Sequence, residues 1–179
     1  MPLGLLLAGA GGTAIFPTAT LTSSVGLGRA IRALSCTLQG DFPSHQFYFT
    51  TQAETDVSDA SAVHTAFQNT TPNFVINCAA YTAVDKAETD QERATKINAF
   101  GAQNLAEQAL KMKCHLIHIS TDFVFDGNNS RPYKEEDSIH PISIYGMSKW
   151  KGEEAIKVSG CDYTIIRTSW LYSSFGHNF

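Results

Sequence analysis

Short apolar segments alternate along this chain with longer segments of helical periodicity, and this alternation constrains the fold more than any other feature. The apolar segments are bounded by polar or turn-forming residues, as β-strands usually are. Strands that alternate with helices indicate βαβ units and a parallel sheet. The predicted strands are 3–8, 46–50, 74–78, 115–120 and 163–168. We therefore expect the α/β class, with a Rossmann-like, doubly wound parallel sheet in a three-layer αβα domain over residues 1–179.

Helical periodicity is clearest in the segment that begins at Thr89. Thr89-Asp-Gln-Glu92 has the pattern of a capping box, and small or apolar residues then recur at helical spacing as far as residue 112. A shorter helix is predicted after Ser58 and Asp59, and a third over about 143–158. These helices are expected to cover the sheet.

The charge pattern argues against polyanionic partners. The formal net charge is −4 and lysine and arginine form no run, so the chain lacks the electrostatic footprint of a nucleic-acid or anionic-membrane binder. The apolar run at 3–8 is far shorter than the roughly 20 residues of a membrane-spanning helix. We expect a small-molecule partner.

Cysteine and histidine spacing indicates neither disulfides nor a metal site. The cysteines are widely spaced and form no C-x-x-C pair, which suits free thiols in the cytoplasm. They are Cys36, Cys78, Cys114 and Cys161. His115 and His118 lie an odd number of residues apart in a predicted strand, so their side chains should face opposite sides. No metal site is predicted.

Glycines follow the first predicted strand, at Gly9-Ala-Gly11-Gly12. Glycines at such a turn let the backbone approach a pyrophosphate at a helix N-terminus. Ile15 stands where a third small residue is expected, and the segment 13–25 precedes another glycine cluster, so an ordinary turn is the alternative. The favoured cofactor contacts are Gly9, Gly11, Gly12 and Thr13.

Further cofactor contacts are predicted after the second and third strands. The carboxylate of Asp56, next to Val57, is placed to accept from an adenine amino group, although Asp56 or Ser58 equally suits the cap of the next helix. Small residues at the carboxyl end of the third strand, Ala79–Thr82, stand where ligands of open α/β sheets bind. No acidic residue ends the second strand, so NAD and NADP both remain open.

Tyr145 and Lys149 carry the sharpest chemical prediction. Their spacing of four places both side chains on one face of a helix. A free tyrosine has a pKa of about 10, and a nearby ammonium group lowers it. The preceding strand ends in Ser120-Thr121-Asp122, which brings hydroxyls to the same sheet edge. Asn98, on an otherwise apolar helix face, needs buried hydrogen-bond partners and is expected to brace the sheet or hold a water in a proton path.

Several blocks in this order resemble the extended short-chain dehydrogenase/reductase family, and within it the dTDP-4-dehydrorhamnose reductases. The resemblance is dense over residues 74–179. The blocks are Asn77-Cys-Ala-Ala-Tyr-Thr-Ala-Val-Asp-Lys-Ala-Glu88, Ser120-Thr-Asp-Phe-Val-Phe-Asp-Gly127, Tyr145-Gly-Met-Ser-Lys-Trp-Lys-Gly-Glu153 and Arg167-Thr-Ser-Trp-Leu-Tyr172.

The resemblance implies the catalytic roles. Tyr145 is expected to donate a proton, Lys149 to assist it and also contact the cofactor, and Thr121 to orient a substrate carbonyl. The implied reaction is reduction of the 4-keto group of dTDP-4-dehydro-L-rhamnose by NADPH or NADH. Members of the family usually continue into a smaller C-terminal substrate region, which we expect to be missing from these 179 residues.

The resemblance also implies binding contacts. Ala80, Tyr81 and Thr82 would line the cofactor. Thr121, Asp122 and Trp170 would contact the sugar nucleotide.

Two other functions fit the same pattern. One is a non-catalytic, NADP-binding regulatory subunit, because the fold also resembles the β subunit of methionine adenosyltransferase. The other is an epimerase or dehydratase of nucleotide sugars. The sequence leaves the oligomeric state open, with a homodimer as one arrangement.

Overall fold

The computed structural model describes residues 48–169 and the backbone of three strands nearer the N-terminus. Those three are β1 (Leu5–Gly9), β2 (Gly11–Phe16) and β3 (Leu21–Ser23). The others are β4 (Tyr48–Thr50), β5 (Phe74–Cys78), β6 (His115–Thr121) and β7 (Tyr163–Thr168). Every predicted strand is therefore present, with small differences at the ends.

The parallel part of the sheet consists of β1, β5, β6 and β7, in that spatial order. Its register places Gly9 beside Cys78, Asn77 beside His118, and Thr121 beside Thr168. Because parallel strands end at a common edge, residues that follow Cys78 and Thr121 lie at the edge where α/β sheets bind ligands. The predicted parallel α/β sheet is confirmed.

The hairpin of β1 and β2 departs from the prediction. β2 runs antiparallel to β1, with Gly9 opposite Gly12, and β3 and β4 pair antiparallel with β2. The prediction of a helix N-terminus directly after Gly12 is wrong for this structure. The segment Gly11–Phe16 includes Thr13, Ile15 and Phe16, residue types that favour strands, and the turn joins two strands.

Helices connect the later strands. They are α1 (Ala60–Thr70), α2 (Val84–Ala87), α3 (Gln91–Thr95), α4 (Gly101–Met112) and α5 (Ile144–Ser159). A π-helical segment, Lys96–Phe100, joins α3 to α4, and a 3₁₀ turn, Asp122–Val124, follows β6. Within the described part of the chain, no helix has the length and apolar character required to cross a bilayer.

The predicted capping box at Thr89 is wrong. Thr89 lies before the helix and its hydroxyl donates to the Lys86 carbonyl, while Asp90 occupies the cap position without a capping bond. The Asp90 carboxylate accepts instead from the phenol of Tyr81, at 3.2 Å. The predicted helical run from here to residue 112 is present, but the π-helical segment interrupts its α-helical geometry.

Helices α1, α4 and α5 lie side by side, with α4 in the middle. α4 packs on β5 and β6, and α5 packs on β6 and β7. These helices form one layer on the sheet. The second helical layer of the predicted three-layer domain is not found among the residues that the structure describes. The core beneath this layer includes Val63, Phe67, Val75, Leu105, Leu116 and Ile156.

Candidate active site

Three buried side chains follow one another at a spacing of four along α5. They are Tyr145, Lys149 and Glu153, with exposed fractions of 9%, 1% and 0%. This spacing places them on one helix face, and their burial turns that face toward the sheet. α5 begins after Ser143, whose hydroxyl accepts from the backbone N–H of Gly146 at 3.1 Å. The predicted pair therefore lies inside the fold rather than on a solvated helix face.

Two glycines let α5 approach its neighbours closely. A Cβ atom at Gly152 would overlap the carbonyl oxygen of Asn98, and one at Gly146 would overlap the carbonyl oxygen of Phe123. The first contact seats α5 against the π-helical segment, and the second seats it against the turn after β6. The position of the Tyr145 side chain relative to the end of β6 depends on both contacts.

Thr121 ends β6 near Tyr145, and the interaction of its side chain with the phenol lowers the pKa of Tyr145. The Thr121 hydroxyl also caps the following turn by accepting from the Phe123 N–H at 3.2 Å, and it donates to the Asp122 carboxylate at 3.1 Å. The ring of Phe123 packs edge-on against that of Tyr145, with 5.5 Å between centroids. Thr121 is therefore both a turn-capping residue and a neighbour of the phenol.

Burial raises the pKa of Tyr145 above its ordinary value of 10.0, while the hydrogen bond with Thr121 lowers it and the charge of Asp122 raises it further. The expectation that Lys149 lowers this pKa is wrong for the structure. The amino group of Lys149 is directed at β6, where its partner is the Ile119 carbonyl oxygen at 2.7 Å. The phenol is therefore protonated near neutral pH, which is the form that can donate a proton.

Burial lowers the pKa of Lys149 to about 8, and the charges of Glu153 and Cys78 oppose this effect. Besides Ile119, the lysine nitrogen has a neighbour in His118, with 3.3 Å between Lys149 Nζ and His118 Nε2. A lysine that titrates near pH 8 can release or accept a proton under mild conditions.

His118 lies inside the sheet layer, fully buried, between Lys149 and Asn77. Its Nδ1 atom is 2.8 Å from Asn77 Nδ2, and the carbonyl oxygen of the Asn77 side chain accepts from the Ala79 N–H at 2.9 Å. Burial, followed by the charge of Lys149, holds the pKa of His118 well below 6.5, so this imidazole is neutral. His115 faces the other side of β6, as its odd spacing from His118 predicted, and contacts Asp162.

Glu153 joins α5 to two strands. Its carboxylate accepts from the Ser120 hydroxyl at 2.6 Å and from Arg167 through Nε at 3.0 Å and a terminal nitrogen at 2.7 Å. The two-pronged contact with arginine is the strong geometry for a carboxylate. This contact connects the helix of Tyr145 and Lys149 to β6 and β7 directly behind Thr121.

Asn98 braces the loop after β5, whereas the sequence predicted that it braces the sheet or holds a water in a proton path. Its side-chain oxygen accepts from the Tyr81 N–H at 2.8 Å, and its amide nitrogen donates to the Tyr81 carbonyl at 3.2 Å. The same nitrogen donates to the Ser148 hydroxyl at 2.8 Å, which in turn donates to the Tyr145 carbonyl at 2.7 Å. The loop after β5 is therefore linked to the helix that carries Tyr145.

The predicted cofactor-lining residues follow β5 at the same sheet edge as Thr121. Ala80 and Tyr81 are buried, with 8% exposed each, whereas Thr82 is exposed. The structure thus brings this loop and the end of β6 together with Tyr145. Gly9 pairs with Cys78, so the end of β1 reaches the same edge.

Asp56 and Val57 lie apart from the Tyr145 network. The Asp56 carboxylate accepts from the backbone and hydroxyl groups of Ser58, at 2.9 and 2.7 Å. The alternative that Asp56 or Ser58 caps α1 is wrong, because the Asp59 carboxylate accepts from the first N–H groups of that helix. Val57 is 5% exposed and packs in the core, and its backbone carbonyl accepts from the Asn104 side chain at 2.9 Å.

The structure describes the remaining predicted cofactor and substrate contacts in less detail. Gly11, Gly12 and Thr13 lie in β2, where Thr13 pairs with Thr50 of β4. Asp122 begins the 3₁₀ turn next to Thr121. Trp170 lies outside the described residues.

Four buried or interior side chains of the site have no role predicted from the sequence: Asn77, His118, Glu153 and Arg167. A spacing of four beyond Lys149 was the signal for Glu153, and an arginine among apolar residues in a strand was the signal for Arg167. For His118, the sequence pattern argues only against a metal-ligand role. Its contact with Lys149 depends on the pairing of β5 with β6, which no local pattern specifies.

Comparison with known proteins shows which proteins this chain resembles. A dTDP-4-dehydrorhamnose reductase of Sinorhizobium fredii is 46% identical over 124 residues, which are 69% of this chain and 42% of the relative. A crystal structure of dTDP-4-dehydrorhamnose reductase from Bacillus anthracis in complex with NADP matches with a TM-score of 0.70 and 42% identity, covering 72% of this chain and 46% of that one. An orthologue from Clostridium acetobutylicum matches with a TM-score of 0.69 and 44% identity, over 72% and 45% of the respective chains.

These matches confirm the resemblance and the Rossmann-like fold predicted from the sequence. The chain spans somewhat under half the length of these relatives. The family model described as RmlD substrate binding domain matches residues 27–179, most of the chain. The chain therefore belongs to the RmlD substrate binding domain family.

Proposed function

We propose that this chain is an oxidoreductase that uses NADPH, or NADH, to reduce the 4-keto group of dTDP-4-dehydro-L-rhamnose to the alcohol of dTDP-L-rhamnose. One observation supports this most directly. The phenol of Tyr145 is buried against the Thr121 hydroxyl at the carboxyl edge of a parallel sheet, in a chain 46% identical over 124 residues to a dTDP-4-dehydrorhamnose reductase.

The proposed chemistry uses three side chains of this site. Thr121 positions the ketone oxygen beside the phenol by hydrogen bonding. Tyr145, whose raised pKa keeps it protonated, donates its proton to that oxygen as negative charge develops there. Lys149, with a pKa of about 8, then supports return of a proton to the phenolate. General acid catalysis of this kind contributes about 10²–10⁴-fold to rate.

The residues at the sheet edge fit a nicotinamide cofactor. Ala79 and Ala80 put small side chains at the end of β5, and Asn98 fixes the backbone of Tyr81 next to them. We propose that Ala80, Tyr81 and Thr82 line the cofactor, together with Tyr145 and Lys149. When bound, the reduced nicotinamide would supply the hydride that the ketone carbon accepts.

The remaining contacts belong to the same proposal. Gly9, at the common sheet edge, is the best placed of the turn glycines, and Gly11, Gly12 and Thr13 follow it in the hairpin. Asp56 and Val57 are proposed to contact the adenine end of the cofactor. Thr121, Asp122 and Trp170 are proposed to contact the sugar nucleotide.

The proposal includes three broader statements. Residues 1–179 form one cofactor-binding domain. The protein acts in the cytoplasm, which suits the free thiols of Cys78, Cys114 and Cys161. It forms a homodimer, which sedimentation analysis would check.

The direct test is oxidation of NADPH, followed by absorbance, with dTDP-4-dehydro-L-rhamnose as the ketone. We expect NADPH consumption that depends on the ketone and yields the 4-hydroxy sugar nucleotide in equal amount. Parallel reactions with NADH measure cofactor preference.

Two outcomes would overturn the proposed reaction. NADPH binding without turnover, together with co-purification of a methionine adenosyltransferase, would favour the regulatory subunit. Conversion of a nucleotide sugar without net NADPH consumption would favour an epimerase or dehydratase, since those enzymes regenerate their cofactor.

A further inference from the structure

Three side chains and one backbone group form a chain of contacts behind the proposed active site. It runs from the Ala79 N–H to the Asn77 side-chain oxygen (2.9 Å), from Asn77 Nδ2 to His118 Nδ1 (2.8 Å), and from His118 Nε2 to Lys149 Nζ (3.3 Å). All three side chains are at most 1% exposed. Water therefore has little access to exchange these partners.

The direction of each hydrogen bond follows from the first one. A backbone N–H can only donate, so the Asn77 atom that faces Ala79 is the oxygen and the atom that faces His118 is the NH₂ group. The NH₂ group can only donate, so His118 Nδ1 must accept. A neutral imidazole that accepts at Nδ1 carries its proton at Nε2. The atom that faces Lys149 is therefore an N–H donor.

Of the two protonation forms of Lys149, the neutral amine is the one that can accept a hydrogen bond from His118 Nε2–H. An ammonium group has three donors and no acceptor, so it would set N–H against N–H across 3.3 Å. A neutral amine has a lone pair, which accepts from His118 Nε2–H while one of its own hydrogens goes to the Ile119 carbonyl at 2.7 Å. In the neutral form every polar atom in the chain from Ala79 to Lys149 has a matching partner.

We propose that His118 is a positioning residue of this site, whose Nε2–H, oriented through Asn77 by the Ala79 backbone, favours the neutral amine of Lys149. The proposal deepens the proposed function and rests on it for the role of Lys149. His118 thus couples the loop after β5, which would line the cofactor, to the proton affinity of Lys149.

Other charged or titratable groups around Lys149 act in the opposite direction. Glu153, four residues along α5, and Cys78, at the end of β5, both raise the pKa of the lysine, while burial lowers it to about 8. Burial also raises the pKa of the Cys78 thiol to about 12, and Glu153 is ion-paired with Arg167 at 2.7 Å. His118 is the group from β6 that faces the lysine nitrogen.

The experiment is an NMR titration of the full 179-residue chain, which reads His118 and Lys149 separately. Imidazole ¹⁵N shifts report which nitrogen of His118 carries the proton, and the Lys149 ε-carbon shift reports its titration. In the wild type we expect the proton on Nε2 and lysine titration near pH 8. A proton on Nδ1 would overturn the proposal.

The decisive variant is Asn77→Ala, which keeps His118 but removes the group that fixes its direction. The imidazole is then free to move its proton to Nδ1 and to accept from the Lys149 ammonium. The lysine should titrate closer to its ordinary value of 10.5. His118→Leu removes the N–H altogether and should shift the Lys149 titration in the same direction. His115→Leu, on the opposite face of β6, is the control and should leave the Lys149 titration unchanged.

Unchanged lysine titration in folded Asn77→Ala would overturn the proposal, whatever His118→Leu does. The NMR result does not require turnover, so failure of the proposed reaction and failure of this inference are distinguishable. If the chain turns over, the pH at which the rate changes should follow Lys149 titration in Asn77→Ala. A role of His118 in filling space alone would move neither quantity.

Discussion

Asn98 holds both backbone polar groups of Tyr81, accepting from its N–H at 2.8 Å and donating to its carbonyl at 3.2 Å. The asparagine lies in the π-helical segment, and the tyrosine lies in the loop after β5. One buried side-chain amide thus satisfies both backbone polar groups of Tyr81, as pairing with a neighbouring strand would. The proposed cofactor surface depends on it.

Replacement of this amide should be costly. Asn98→Ala leaves the Tyr81 N–H and carbonyl without their partner, and each buried unsatisfied group costs about 1–3 kcal/mol. We expect the free energy of unfolding, measured by urea denaturation, to fall by at least about 2 kcal/mol. Asn128→Ala, in an exposed loop, is the matched control and should change it by less than about 0.5 kcal/mol. Equal losses in both variants would contradict the bracing role.

Glu153 and its neighbour Glu154 provide a second matched pair. Glu153 is fully buried and bonded to Ser120 and Arg167, whereas the Glu154 side chain is 46% exposed and pairs with Lys157. Loss of one partner of a buried ion pair costs about 3–5 kcal/mol, and an exposed pair contributes about 0–1 kcal/mol. Glu153→Gln should therefore lower the urea midpoint much more than Glu154→Gln. Similar midpoints would show that this contact does not hold α5 to the sheet.

The low pKa of Lys149 should make stability depend on pH in a defined window. The folded chain releases this proton near pH 8, and an ordinary lysine releases it near 10.5. Between these values the unfolded state binds more protons, so the free energy of unfolding rises with pH, by up to about 1.4 kcal/mol per pH unit. The thiols of Cys78 and Cys114 have raised pKa values and act in the opposite sense above about pH 9.

The measurement is therefore the difference between wild type and Lys149→Met, followed from pH 7 to pH 9. We expect the wild type to gain stability relative to the variant as pH rises. The control is Lys151→Met, whose lysine is exposed on the same helix and whose pH dependence should match that of the wild type. A constant difference between wild type and Lys149→Met would refute the lowered pKa.

The sequence predicted the strands and helices that follow from local patterns. Short apolar segments placed β5, β6 and β7 correctly, and helical periodicity placed α5 correctly. The Tyr145–Lys149 spacing correctly put both residues on one helix face. What it missed depends on contacts between distant segments. The Asp90 carboxylate, for example, accepts from the Tyr81 phenol instead of capping its own helix.

The direction of the Tyr145 pKa shift also could not be predicted from the sequence. Spacing alone places an ammonium near the phenol, but the depth of burial and the orientation of the Lys149 nitrogen are tertiary properties. In the fold, burial raises the pKa of Tyr145, and the lysine nitrogen bonds to the Ile119 carbonyl. The phenol therefore stays protonated near neutral pH.

Turnover of dTDP-4-dehydro-L-rhamnose by Tyr145→Phe tests the central claim most directly. The variant keeps the ring that packs against Phe123 and removes only the hydroxyl. NADPH oxidation should fall by about 10²–10⁴-fold while NADPH binding is retained, and Tyr163→Phe, on β7, should remain as active as the wild type. Full activity of Tyr145→Phe would contradict its assignment as the proton donor.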